Sequence, residues 1–300
     1  MATYQENKRG IVAFITACAL FTVNDTLAKL TAAVYPTGEV LFVRGLFSAI
    51  CLGVVVIYSH QLSWLRYTAH PYVILRALLD AAANVAFIMA LSHMRIADLM
   101  AVNLASPLLL TMLLALFFKE PVGWRRWTAV LVGFAGVLLI VRPSPTSMNI
   151  WALVGLTAAM CSALRDTTIR NIEPHVPTLA ISFVSVVAVT CVAPIQGLLL
   201  EEQWTMPGTR YVIYMAVAAV FLSAGSTYAV SAFRNVDITV VAPFRYTLLL
   251  WGGIAGYVVF GELSDLQSLL GALLIVGSGL YTLHRERVRH RELSAKSGLH

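Results

Sequence analysis

The sequence predicts an all-α membrane protein whose ten transmembrane helices form two inverted repeats of five helices each. Three observations support this fold class: the apolar composition, ten apolar stretches of spanning length, and a residue pattern that occurs twice. Of the 300 residues, 59% are hydrophobic and 12% are charged, whereas soluble domains average about 45–50% apolar and about 25% charged residues. A soluble fold of this length cannot bury so much apolar surface, so lipid must cover part of it.

The apolar stretches account for nearly the whole chain. Crossing a bilayer takes about 20 helical residues, and stretches of about that length lie at residues 10–30, 37–59, 70–92, 97–118, 124–142, 149–170, 178–200, 210–233, 239–260 and 265–284. The first stretch follows Lys8 and Arg9 and has the form of a signal peptide. However, Asn24 and Asp25 follow its apolar run and nine further apolar runs come after it, so we interpret it as the first transmembrane helix.

The distribution of lysine and arginine predicts the orientation of the chain. Ten spans place both termini on the same side of the membrane, and that side also holds most of the basic residues. The opposite loops hold four of them, Lys29, Arg95, Arg142 and Arg210. Because basic loops favour the cytoplasm, residues 1–9 and the basic tail 285–300 are predicted to be cytoplasmic in a bacterial inner membrane.

A pattern from the first half of the chain returns in the second half. Five residues at the end of the first span, Asp25, Thr26, Lys29, Pro36 and Thr37, recur 141 positions later as Asp166, Thr167, Arg170, Pro177 and Thr178. Further along, the offset becomes 142 positions and relates Glu120 to Glu262. These matches predict repeats over residues 10–143 and 149–284. An odd number of spans per repeat inverts the second copy, which is the architecture of many secondary transporters.

Three segments of the sequence carry a family resemblance. The second repeat has Phe260-Gly261-Glu262 before residues 269–277, and the first has Phe118-Lys119-Glu120 before residues 132–136, with Lys119 where glycine is usual. Together with Phe42-Val43-Arg44 in the second span, these segments resemble the drug/metabolite transporter superfamily, of the type with two EamA domains. The resemblance implies ten helices, cytoplasmic termini and a central cavity that opens alternately to either side. Members of this superfamily move amino acids, nucleotide-like metabolites such as S-adenosylmethionine, vitamins such as riboflavin, or drugs.

Charged side chains inside the spans are the first candidates for function. Each costs roughly 2.5–3.5 kcal/mol on insertion scales, and the spans contain Asp25, Glu39, Arg44, Arg76, Asp80, Arg165, Asp166 and Arg245. Arg76, Asp80 and Asn84 are spaced four residues apart and therefore share one face of the third helix. Two interpretations remain open: an intrahelical Arg76–Asp80 salt bridge, or a cavity face that offers Arg76 to a carboxylate.

Prolines mark the fourth and ninth spans, which are equivalent in the two repeats. In the fourth span Asn103 precedes Pro107, and the alternatives are a structural kink and a polar cavity face. In the ninth span Arg245 and Tyr246 follow Pro243, and a polar residue beside a helix break is typical of transporter sites. We therefore predict that Arg245 binds substrate. The alternative is a buried ion pair, for which the candidate partners are Asp80, Glu39 and Asp166.

Polar residues that the repeat does not mirror favour substrate recognition, because a substrate is asymmetric while the scaffold is not. Arg44 corresponds to Ser185, and Arg245 corresponds to Asn103. The predicted substrate-binding residues are Arg245, Arg76, Arg44, Asp80, Asn84, Asn103 and Tyr246.

Carboxylates that occur at equivalent positions of both repeats favour a role in what the repeats share, namely the fold and the gating of the cavity. Asp25 and Asp166 are predicted proton-coupling residues; the alternative is that they pair with Lys29 and Arg170, one turn along each helix. The mirrored glutamates Glu120 and Glu262 stand just before the fifth and tenth helices, where a carboxylate favours the positive end of a helix. We interpret this second pair as structural.

The sequence argues against several classes of function. It has no GxxxxGK(S/T) phosphate loop for a primary pump, no HExxH or GxSxG motif, no histidine cluster at ligand spacing and no repeated channel filter. We therefore expect a gradient-driven secondary carrier for a small polar organic metabolite, with no enzymatic activity, cofactor, metal or nucleic acid partner. A multidrug or metabolite exporter of the same fold is the alternative, while an intramembrane enzyme or a channel is disfavoured. The carrier is expected to be a monomer or homodimer in the lipid bilayer.

Overall fold

The computed structural model of the protein describes residues 4–58, 70–116, 124–142, 150–168, 171–172, 176, 178–232 and 238–297. Every regular element within these residues is a helix. Six segments are long and apolar enough to cross a membrane: Lys8–Ala32, Thr37–Ile57, Pro71–His93, Ile96–Leu113, Ile181–Leu199 and Thr209–Ala229. Two shorter helical segments, Trp127–Val141 and Leu266–Thr282, are also apolar. The described chain is therefore an all-helical, multi-pass membrane protein, and the full set of ten crossings stays a prediction.

The helices follow the predicted order along the chain. The first repeat contains α1 (Tyr4–Ala32), α2 (Thr37–Tyr58), α3 (Pro71–His93), α4 (Ile96–Asn103), α5 (Ser106–Leu116) and α6 (Trp124–Val141). The second contains α7 (Ile150–Thr168), α8 (Thr178–Leu199), α9 (Thr209–Ala232), α10 (Ile238–Val241), a 3₁₀ segment (Ala242–Tyr246), α11 (Thr247–Phe260) and α12 (Leu266–Ser297). Helix α12 runs beyond the predicted span into the basic tail, whose Arg, Glu, Leu and Lys residues are all good helix formers.

The fourth and ninth predicted spans are each broken at equivalent positions. Helix α4 ends at Asn103, and α5 begins three residues later at Ser106, with Pro107 in its first turn, where the missing N–H leaves no hydrogen bond unmade. In the ninth span Pro243 opens the 3₁₀ segment that separates α10 from α11. Asn103 and Arg245, which are 142 positions apart, thus both lie at a helix break. The bends expected from the prolines are present in both repeats.

Helices of one repeat pack mainly against helices of the other. Helix α1 packs on α9, and α7 packs on α3, which is the same contact seen from the other repeat. The equivalent helices α2 and α8 pack together, as do the equivalent helices α6 and α12, and α4 packs on α11 of the other repeat. At the α6–α12 contact, a β-carbon on Gly136 would lie 2.6 Å from the carbonyl oxygen of Gly271, so only glycine permits this close approach. The core of the protein is therefore the interface between the two repeats.

The outer helix faces are apolar and exposed. On α12, Leu269, Leu270 and Leu273 are about half exposed, and Tyr257 and Val258 of α11 are exposed to a greater extent. A soluble protein would bury such a row of large apolar side chains, whereas lipid solvates it without cost.

Candidate functional site

A cavity of about 500 Å³ lies between the repeats at the level of the two helix breaks. Residues from both repeats line it, and the polar ones are Asn24, Asp25, Arg44, Asn84, Asn103, Ser162, Arg165 and Arg245. Three phenylalanines, Phe14, Phe21 and Phe87, contribute apolar wall. The structure thus brings five of the predicted site residues, from α1, α2, α3, α4 and the 3₁₀ segment, into a single cavity. We call it the central cavity.

A second cavity, of about 450 Å³, adjoins the central cavity between α2, α3, α8 and α9. The residues that line both cavities are Phe21, Arg44, Asn84, Arg165 and Leu222. Two further predicted residues, Arg76 and Asp80, line this second cavity alone. We call it the side cavity.

Arg245 has no acidic partner among the described residues. The three carboxylates proposed as its rival partners are engaged elsewhere. Asp80 and Asp166 pair with arginines of α3 and α7, while Glu39 accepts a hydrogen bond from the backbone N–H of Thr205 at 3.2 Å. An unpaired arginine at this depth is unfavourable unless it faces a cavity or a ligand, and Arg245 lines the central cavity.

The charged face of α3 forms an ion-pair network with α7. Arg165 donates to Oδ1 of Asp80 at 2.5 Å and to Oδ1 of Asp166 at 3.0 Å. Arg76 donates to the backbone carbonyl of Arg165 at 2.9 Å, and its Nη1 lies 3.9 Å from Asp166. Of the two interpretations left open for this face, the intrahelical Arg76–Asp80 salt bridge is not formed: Asp80 pairs with Arg165 instead, because α7 packs on α3. Asn84, one turn further, donates to the backbone carbonyl of Asp80.

Asp25 faces the central cavity beside Arg44. The side chain of Asn24 links the two, since its amide donates to Asp25 Oδ1 at 2.8 Å and its oxygen accepts from Arg44 Nη1 at 3.3 Å. Lys29, the alternative partner for Asp25, instead contacts Glu262. The alternative pairing within α1 is thus not formed. The corresponding basic residue of the second repeat, Arg170, lies outside the described residues.

Among the predicted substrate-binding residues, Tyr246 is the one that the structure places elsewhere. It lines neither cavity, and a β-carbon on Gly279 of α12 would overlap its ring and hydroxyl. Successive residues of a 3₁₀ segment point about 120° apart, as its three residues per turn require. Since Arg245 faces the cavity, Tyr246 must face away from it, and its assignment to the site is corrected.

A buried ion pair joins the repeats at the end of the bundle where α1 terminates. Lys29 Nζ lies 2.5 Å from Glu262 Oε1, donates to the carbonyl of Met94 at 2.7 Å and sits over the Phe260 ring. The other Glu262 oxygen accepts the backbone N–H of Ile96 at 3.1 Å. Glu262 therefore caps α4 of the opposite repeat, which corrects the expectation that it favours its own following helix. Its mirror residue, Glu120, lies outside the described residues.

Two further polar clusters hold the same end together. Asp265 binds Arg95 at 2.7 Å and also contacts Arg142; the hydrogen bond from Arg95 holds the pKa of Asp265 well below its usual range, and Arg142 reinforces this. Glu202 accepts hydrogen bonds from Thr37 and from the Trp204 indole. Neither carboxylate stands out in the sequence, because both lie in loops and their partners Arg95 and Thr37 are more than 160 positions away.

Both repeats match one protein family, the EamA-like transporter family, over residues 8–142 and 149–283. The chain belongs to this family. The resemblance seen in the sequence is thereby confirmed, and the protein is a membrane transporter. A crystal structure of a protein with 16% sequence identity has a TM-score of 0.64 and covers 92% of this chain and 97% of that chain, which shows the same fold.

Several curated relatives of this EamA-like transporter match along nearly their whole length. The S-adenosylmethionine uptake transporter of Rickettsia prowazekii (strain Madrid E) is 27% identical over 93% of this chain and 93% of that protein. The Pseudopaline exporter CntI of Pseudomonas aeruginosa (strain UCBPP-PA14) is 28% identical over 90% of this chain and 94% of that protein. The Riboflavin transporter of Vibrio cholerae serotype O1 is 26% identical over 94% of this chain and 95% of that protein. These relatives are named for three different substrates, and for both uptake and export.

Proposed function

We propose that this transporter is a gradient-driven secondary carrier that moves a small polar organic metabolite across the bacterial inner membrane by alternating access. Both termini lie in the cytoplasm, and the substrate binds in the central cavity between the inverted repeats. The observation that carries the proposal is Arg245, an arginine without an acidic partner in the described residues, at a helix break that lines this cavity.

Arg245 is suited to hold an oxygen-rich group of the substrate. Its planar guanidinium can bind a carboxylate or phosphate through two hydrogen bonds, or a polarised carbonyl through one. The mirrored residue Asn103 lines the same cavity and is neutral, so the scaffold itself does not require a charge at this position. The helix break frees backbone groups beside Arg245, as in the discontinuous helices of other transporters.

The remaining predicted substrate-binding residues, apart from Tyr246, line one or both of the two adjoining cavities. Arg44, Asn84 and Asn103 line the central cavity, so they are proposed to contact the substrate directly. Arg76 and Asp80 line the side cavity, where the ion-pair network of α3 and α7 holds them. Riboflavin, an amino acid and S-adenosylmethionine remain the substrate candidates.

Asp25 is the proposed proton-coupling residue. It lines the central cavity next to Arg44, so its protonation changes the charge that the substrate meets. Asp166, its mirror, instead lies between Arg165 and Arg76. A coupling role for Asp166 in the opposite half of the transport cycle stays a prediction.

The variant Arg245→Lys tests the carrier and its substrate contact together. Thermal-shift screening of metabolites with the purified protein would identify a binder, and counterflow in liposomes would measure its transport. Lysine keeps the charge but loses the planar fork, so we expect about a tenfold weaker apparent affinity, equivalent to roughly 1.4 kcal/mol, with normal thermal stability.

Arg210→Lys is the matched control for this experiment. Arg210 is exposed and donates to Tyr214 within α9, far from the residues that line the central cavity. The Arg210→Lys variant should transport like the wild type. Unaltered affinity in Arg245→Lys would remove Arg245 from substrate recognition. Ohmic conductance without saturable exchange would instead indicate a channel, and a chemically changed product would indicate an enzyme.

A further inference from the structure

The side cavity has a wall rich in hydroxyl groups. Five serines line it: Ser48 from α2, Ser182 and Ser185 from α8, and Ser223 and Ser226 from α9. Ser223 and Ser226 donate to carbonyls of their own helix, at 2.9 and 2.8 Å, so their oxygens remain able to accept a hydrogen bond. The wall therefore offers both donors and acceptors over a short distance.

Ser48 is the member of this wall with an unmet hydrogen bond. Its side chain is fully buried at 0% exposure, and its Oγ has no hydrogen-bond partner among the described residues. A buried hydroxyl without a hydrogen-bond partner is unfavourable. Such a group calls for an explanation, and a bound water or ligand that hydrogen-bonds to it is one. A serine inside a helix can donate its hydroxyl to the backbone carbonyl one turn earlier, and Ser48 makes no such bond.

The serines are not required by the symmetric scaffold. With the offset of 141 positions, Ser48 of α2 corresponds to Val189 of α8, and Ser182 corresponds to Leu41. All four of these residues line the side cavity, so the pseudo-symmetry axis of the protein passes close to it. A wall needed only for packing could be apolar on both sides, as Val189 and Leu41 demonstrate. The unmirrored hydroxyls are consistent with an asymmetric ligand.

The arginines around the side cavity are already balanced by carboxylates. Arg165 pairs with Asp80, Arg76 lies near Asp166, and Arg44 is linked to Asp25 through Asn24. An anionic group would have to compete with these carboxylates, whereas Arg245 in the central cavity pairs with no carboxylate of the described residues. The part of a ligand that suits the side cavity is therefore neutral and rich in hydroxyl groups.

We propose that the side cavity binds the polyhydroxylated part of the carried metabolite, a ribose or ribityl group. Ser48, Ser182 and Ser185 hydrogen-bond to its hydroxyls, while Arg245 holds a carboxylate or carbonyl of the same molecule in the adjoining central cavity. This inference rests on the proposed carrier function. It adds a second subsite and restricts the substrate to metabolites that carry such a group.

Equilibrium binding of four compounds to the purified full-length protein tests the proposal. S-adenosylmethionine and riboflavin carry a ribose and a ribityl group; the 2′,3′-dideoxy analogue of S-adenosylmethionine and lumiflavin are their counterparts without those hydroxyls. A site that hydrogen-bonds hydroxyls rejects an analogue that lacks them, so we expect one polyol compound to bind at least about tenfold more tightly than its counterpart. Ser48→Ala and Ser185→Ala should each reduce that preference about threefold or more.

The control is Ser278→Ala, a buried serine at the α6–α12 contact that lines neither cavity and donates to Ile275. It should keep the full preference. Ser48→Ala should fold normally, because the hydroxyl has no described partner to lose; the melting temperature of each variant checks this. Equal binding of a polyol compound and its counterpart, or wild-type preference in both serine variants, would mean a cavity filled by water alone and would overturn the proposal.

The outcome in which none of the four compounds binds also overturns this proposal, since it commits to a ribose or ribityl group. The carrier function is judged separately. If another metabolite shows saturable counterflow that Arg245→Lys weakens, the carrier stands and only the hydroxyl subsite falls. If no metabolite exchanges, both proposals fall.

Discussion

Arg165 and Arg245 show how the same side chain takes different roles in one cavity. Arg165 binds two carboxylates from α3 and α7, so its charge is neutralised and its main effect is to fix one helix against the other. Arg245 lines the same cavity without an acidic partner in the described residues. A buried charge that lacks a partner is retained at a cost, which is why Arg245, and not Arg165, is the better candidate for substrate contact.

Asp25→Asn tests the coupling role of the carboxylate beside Arg44. If Asp25 carries the coupled proton, the variant should lose proton-driven accumulation in liposomes but keep counterflow exchange, which needs no net proton movement. The matched control is Glu201→Gln, an exposed loop carboxylate outside both cavities, which should accumulate substrate normally. Accumulation at the wild-type level in Asp25→Asn would show that the coupling residue lies elsewhere.

Residue spacing predicted which side chains share a helix face, but it did not predict their ion-pair partners. Arg76, Asp80 and Asn84 do share a face of α3, and that face lines the side cavity as the spacing indicated. The partner of Asp80 was unpredictable from spacing because Arg165 is 85 positions away along the chain. Arg165 on the neighbouring helix α7 pairs with Asp80 at 2.5 Å, in place of Arg76 on the same helix.

The loops between helices join the two repeats at one end of the bundle. Lys29 lies in the last turn of α1, Met94 follows α3, Ile96 begins α4, and Glu262 lies between α11 and α12. Helix α1 and the start of α4 belong to one repeat, and Glu262 belongs to the other. The ion pair therefore joins the two repeats at this end, together with the clusters around Asp265 and Glu202.

Glu262→Gln should loosen this end of the protein. The variant leaves Lys29 without its carboxylate and weakens the cap on α4, so we expect a loss of stability of roughly 2 kcal/mol, seen as a lower melting temperature. The end should also open more often. Cys18, which lines the central cavity, should then react faster with a membrane-impermeant maleimide applied from the side opposite the termini.

The labelling experiment needs a background in which Cys18 is the remaining thiol, with Cys51, Cys161 and Cys191 changed to serine. Glu201→Gln in the same background is the control and should label at the wild-type rate. A Glu262→Gln protein that melts earlier but labels no faster would make the ion pair purely structural. Unchanged melting and labelling would show that the pair has no role in closing this end.

At the scale of the whole molecule, inverted topology follows from an odd number of spans per repeat. Reporter fusions in the tail after Arg285 and in the loop near Ser144 should report opposite sides of the membrane, with the tail in the cytoplasm. The physical basis is the excess of lysine and arginine on the side of the termini. Two reporters on the same side would contradict the ten-span topology and the inversion of the second repeat.

The sequence by itself determined the fold class, the duplication and the family. Apolar content and span length are set by the bilayer, which is a uniform solvent and leaves its signature in every helix. The positions of the helix breaks were also predictable, because Pro107 and Pro243 act on the local backbone. These features depend on short stretches of chain, so they can be read without knowing which helices are neighbours.

Only the tertiary structure decided which charges are paired and which are free. Lys29 and Glu262 are 233 positions apart, and Arg165 and Asp80 are 85 apart, so neither pair could be inferred from local spacing. Within the described part of the chain, the lack of an acidic partner for Arg245 and the unmet hydrogen bond of Ser48 are likewise properties of the packed interface between the repeats. The physical reason is that electrostatic partners act through space over a few ångströms, while sequence order constrains only the residues one helical turn away.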